Sequence, residues 1–135
     1  MIETLAEHEE RFTETLYAHF FARCPKAIPL FGEHSHSEKS EMVLETFRSL
    51  LAVVEGAPWL PGNLEAMGNS HREYGVEGWM FAPFEHAFAE SVSEVLDEPI
   101  DTETIDVMKR ALAIVTAGMN GAGVSRMEDS DDEAA

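Results

Sequence analysis

The sequence predicts an all-α fold, on three observations. Apolar residues recur at spacings of three and four along most of the chain. No stretch alternates apolar and polar residues with a period of two. Clusters of proline and glycine divide the chain into pieces of helical length.

Residues 3–22 carry Leu5, Phe12, Leu16, Phe20 and Phe21 in a helical pattern that Pro25 and Pro29 interrupt, and Leu30-Phe31-Gly32 then reads as a corner. Ser35-His36-Ser37-Glu38 is a capping box. It opens a helix whose apolar face is Val43, Phe47, Leu50, Leu51 and Val54, running to about residue 55. Gly56, Pro58, Pro61 and Gly62 mark a turn, with Trp59 and Leu60 as apolar pins. Asn63 caps a short helix bearing Met67 and His71, which Gly75 ends in a left-handed conformation. The next helix covers about residues 79–97, with Phe81, Phe84, Phe88, Val92 and Val95 on its face. Pro83 falls in its first turn, where no helical N–H bond is lost. Asp97-Glu98-Pro99 closes it, and Asp101 or Thr102 caps a last helix with the face Ile105, Met108, Leu112, Val115 and Met119. Residues 1–126 thus read as one domain and residues 127–135 as an acidic tail, expected to be disordered.

Charge and composition exclude several function classes. Of 135 residues, 26 are acidic and 9 are lysine or arginine, for a formal net charge of −17. Lys26, Lys39 and Lys109 are the lysines. Such a surface repels phosphate backbones and anionic lipid, so neither nucleic acid nor membrane is an expected partner. No run of about 18 apolar residues is present to span a bilayer. The acidic start Met1-Ile2-Glu3-Thr4 lacks the basic character of a secretory signal. The single cysteine, Cys24, rules out an internal disulfide and suits a reducing compartment, so the expected location is cytoplasmic.

His71 is the residue most suited to chemistry. It lies one turn after Met67 on the same helix face. An apolar face with one imidazole can hold a metal from one side only, and the remaining ligands must come from a large flat group such as haem. Taken alone, a single histidine on an apolar face is more often a satisfied core residue. His34 and His36 form a possible metal pair without a third ligand.

Four features in order carry a resemblance: the corner Cys24-Pro25 through Pro29-Leu30-Phe31, the long helix with Val43 inside, His71 within Gly68 through Val76, and the phenylalanine-lined helix. In these, over roughly residues 8–120, the chain resembles the globins. It is most similar to bacterial single-domain haemoglobins and the haem domain of flavohaemoglobins, with some likeness to neuroglobin. The resemblance implies a three-over-three helical sandwich holding haem b, with His71 as the proximal iron ligand. It implies that Phe31 packs on the porphyrin, and that Tyr17, fourteen residues earlier, stands on the distal side. Lys39 matches the distal-helix position and Val43 the apolar residue over the iron. Met67, Val76, Phe81, Phe84 and Phe88 match haem contacts.

Tyr17 reads either as a distal donor or as a core tyrosine bonded to a carbonyl. Lys39 admits three readings. It snorkels outward to a haem propionate, or it points inward to a bound ligand or the iron. In the third, the register is shifted by one turn and brings Met42 or His36 nearer the metal. Phe81 stands where flavohaemoglobins carry a proximal tyrosine, which weakens the expectation of nitric oxide dioxygenation. The expected function is therefore reversible binding of a diatomic gas, oxygen or nitric oxide. The alternatives are a haem redox enzyme served by an external reductase, and a gas-sensing interaction module. Only about seven residues precede the helix bearing Tyr17, so the family's first helix is nearly absent; a homodimer would cover the surface this leaves.

Overall fold

The computed structural model describes residues 1–31, 36–96 and 100–121. Among these are α1 (Ile2–Glu7), α2 (Glu9–Arg23), α3 (Ile28–Phe31), α4 (His36–Glu55), α5 (Leu60–Glu73), α6 (Phe81–Val95) and α7 (Thr102–Met119), and no strand. Single 3-10 turns lie at Pro25–Ala27 and Gly78–Met80. Of the expectations above, Gly32 of the corner, His34, Ser35 of the capping box, Asp97-Glu98-Pro99 and the acidic tail lie outside the described residues.

The all-α expectation holds, with two corrections to its elements. The first apolar stretch is two helices, separated at His8. The His8 N–H is shared between the carbonyls of Thr4 and Leu5, at 3.3 and 3.1 Å, and its φ of −110° turns the chain. That bend sets α1 against both α2 and α4, with Leu5 fully buried. The second correction concerns α5. It starts at Leu60, so Pro61 and Gly62 are helical and Asn63 is not its cap. Proline is accommodated there because first-turn N–H groups have no intrahelical acceptor. The 79–97 segment likewise divides into a 3-10 turn and α6, with Pro83 in the first turn of α6.

Other boundaries follow the sequence signals. Asp101 caps α7 by accepting from the Thr104 N–H at 2.7 Å. Gly75, at φ +98°, ends α5. Its N–H donates to the Arg72 carbonyl at 3.0 Å, and the Val76 N–H donates to the His71 carbonyl at 3.0 Å. These two bonds form a Schellman motif, which fixes the chain direction immediately after His71.

The core is arranged around rings. Phe12 of α2 meets Phe47 of α4 at 5.3 Å and Phe88 of α6 at 5.1 Å between centroids. α2 packs chiefly on α6, α5 on α7, and α4 reaches both α7 and α2. At the α5–α7 crossing a Cβ on Gly68 would collide with the Met119 carbonyl, so only glycine allows this approach. Arg72, one turn later, donates to that same carbonyl at 2.9 Å. No helix among the described residues is long and apolar enough to cross a membrane. Leu44, Leu51 and Val54 of α4 remain exposed.

Candidate functional site

A cavity of about 480 Å³ opens between α4 and α5, with its inner wall on α7 and its sides on α2, α6 and the α3 corner. That volume falls within the roughly 300–1,000 Å³ usual for cofactor and small-molecule sites. Nine residues singled out from the sequence line it: Tyr17, Phe31, Met42, Val43, Met67, His71, Val76, Phe81 and Phe84. These residues span positions 17 to 84 and come from five helices and the connection bearing Val76, so the fold, not local sequence, assembles the wall.

Two of the singled-out residues lie elsewhere. Phe88 is fully buried in the ring cluster with Phe12 and Phe47, behind the cavity. Lys39 is half-buried and off the wall. Its Nζ lies 5.7 Å from the Tyr17 ring centroid and 5.6 Å from that of Phe21. An ammonium over two ring faces is stabilised by about 0.5–1 kcal/mol while it stays hydrated.

His71 is held in one orientation. Its Nδ1 lies 2.6 Å from the carbonyl oxygen of Met67, one helical turn back. A carbonyl only accepts, so Nδ1 carries the proton and Nε2 of the neutral ring keeps its lone pair. Nε2 has no hydrogen-bonding partner among the described residues. Met67 is itself anchored, because the Asn63 amide donates to its sulfur at 3.4 Å. Asn63 thus serves the histidine's helix from inside it, one turn before Met67.

Facing α5 across the cavity, Tyr17 is 6% exposed and its hydroxyl donates to the Met42 sulfur at 3.7 Å. Burial raises the phenol pKa well above its ordinary value. The ring touches Phe21 and Phe31, at 5.7 and 5.3 Å between centroids. The result is a neutral donor in apolar surroundings.

No group of three or more His, Cys, Asp or Glu side chains that could hold a metal ion comes together among the described residues. His71 offers its Nε2 lone pair on the cavity wall, with the sulfurs of Met42 and Met67 lining the same space. No protein-family model matches the chain, and no curated protein matches its sequence.

Some of the wall was not foreseen. Leu30, Met80 and Met119 add apolar surface, and Glu38, Glu41 and Glu45 put carboxylates of α4 along it. The spacing of three and four among these glutamates was a readable signal of one helix face. Ser49 also lines the cavity, and its buried hydroxyl has no hydrogen-bonding partner among the described residues. Thr116 lies on the wall too and donates to Glu85 at 2.8 Å, joining α7 to α6.

Proposed function

We propose that this chain is a globin-like protein of three-over-three architecture that binds haem b through Nε2 of His71 and reversibly takes up a diatomic gas, oxygen or nitric oxide. The observation that carries the proposal is the pairing of His71 Nδ1–H with the Met67 carbonyl at 2.6 Å, on the wall of a large apolar cavity. That bond selects the tautomer whose free nitrogen is a metal ligand and fixes the ring's orientation. The donor set fits haem, which needs one strong ligand from the protein and an apolar slot around its rim.

When bound, haem would supply an iron able to take up a small gas, and His71 would be the residue that holds it. The chain's own residues do the rest. Val43, Phe31 and Phe84 line the cavity with hydrocarbon, which keeps water from its interior. Tyr17 offers one phenolic proton to a ligand that gains negative charge, a bond worth about 1–2 kcal/mol where water is absent. The glutamates of α4 oppose carboxylates, so the propionates are expected to leave the cavity away from that row.

The test is hemin reconstitution followed by absorption spectroscopy of the reduced protein. The wild type should take up hemin one to one and give a sharp Soret band that shifts on adding carbon monoxide. His71→Ala should lose that band or shift it, with imidazole added to the buffer restoring it. An unaltered Soret band in His71→Ala would overturn the assignment.

A further inference from the structure

Tyr17 is not simply aimed into open space. Its single proton is already given to the Met42 sulfur, at 3.7 Å, and both side chains line the same cavity. A thioether is a weak acceptor. A hydroxyl resting on sulfur is held in place, yet it transfers readily to any ligand atom that accepts better. From this geometry we infer that Met42 is a positioning residue for the cavity's hydrogen-bond donor, a competing acceptor that sets how strongly Tyr17 responds to a ligand. The inference rests on the proposed gas-binding reading for its functional consequence, while the Tyr17–Met42 contact exists without any bound group.

The contact has little competition nearby. Among the described residues, the Tyr17 ring also meets those of Phe21 and Phe31, with the Lys39 ammonium over its face. Met42 comes from α4 and Tyr17 from α2, so the bond also crosses two of the helices that frame the cavity. Met42 is half-buried and can be exchanged for side chains of similar length without emptying a core position. Leucine removes the acceptor. Glutamine replaces sulfur with an amide oxygen, a stronger acceptor at about the same reach.

These substitutions act in opposite directions if Met42 works through Tyr17. Met42→Leu frees the hydroxyl for the ligand, and oxygen release from the haem-loaded protein should slow by about two- to tenfold, the span of one ordinary hydrogen bond. Met42→Gln holds the hydroxyl back, and release should quicken by a similar factor. Both effects should vanish in a Tyr17→Phe background. A merely structural role would move both variants the same way, or move them equally without Tyr17, and either result overturns the inference.

A second arm uses the apoprotein, so that failure of haem binding and failure of this inference are separable. The tyrosine doublet in ultraviolet resonance Raman spectra reports phenol hydrogen bonding. With Tyr74 replaced by phenylalanine, Tyr17 is the one tyrosine left. Met42→Leu should shift the doublet towards a weaker bond and Met42→Gln towards stronger donation. A doublet indifferent to both substitutions refutes the inference, whether or not hemin loads.

Discussion

Tyr17 keeps its phenolic proton because the charged form has nowhere to be solvated, and this has a consequence for stability. A folded-state pKa above the unfolded value of about 10 means that the folded state retains the proton while the unfolded chain releases it. The contribution is complete below pH 10 and is lost as pH rises beyond it towards the folded value. Urea unfolding of the wild type should therefore weaken above pH 10 relative to Tyr17→Phe, by about 1.4 kcal/mol per pH unit. Parallel profiles for the two proteins would contradict the burial of the phenol. His71 differs in that its orientation was legible from its neighbours: Met67 one turn back and Gly75 beyond supplied a carbonyl partner and a fixed exit. Phe88 was not legible in this way. It shares a helix face with Phe81 and Phe84, but rings from α2 and α4 enclose it, which no local pattern discloses.

At the scale of elements, the glycines of α5 give two predictions of opposite sign. Gly68 meets the Met119 backbone of α7, and backbone cannot swing aside as a side chain can. Gly68→Ala should cost about 1–3 kcal/mol by overpacking, even though alanine is the better helix former. Gly62 sits in the same helix with open space around it. There alanine should add up to about 1 kcal/mol, the ordinary helical penalty of glycine removed. Urea midpoints of the two variants should move apart; movement in the same direction would contradict the close α5–α7 crossing. The same helix shows where sequence reading stops. Pro61-Gly62 resembles a turn by composition, and only the packing of Leu60 and Leu64, both buried, makes it a first turn. The cap of α7 and the end of α5 were readable because their signals are local: an aspartate that accepts one N–H, a glycine that adopts positive φ. The bend at His8 has no such local marker, since neither proline nor glycine stands there.

For the whole molecule, a net charge of −17 on 135 residues makes self-repulsion a term in every equilibrium the chain enters. Folding concentrates those charges, so salt should raise the thermal midpoint by screening them. Hemin uptake should respond with the same sign. The α4 carboxylates Glu38, Glu41 and Glu45 border the cavity, and the incoming group carries propionates of like charge. Salt strengthens association between like-charged partners and weakens it between opposite ones. Hemin affinity measured from about 0.05 to 1 M sodium chloride should accordingly increase, steeply at first and then level off as the Debye length falls from roughly 14 Å to 3 Å. Glu41→Gln should flatten that dependence while leaving the high-salt affinity nearly unchanged, because it removes repulsion and not a ligand. An affinity that falls with salt would mean that a cation on this chain holds the propionates. Lys39, with its Nζ beside the Tyr17 and Phe21 rings, would be the first residue to replace.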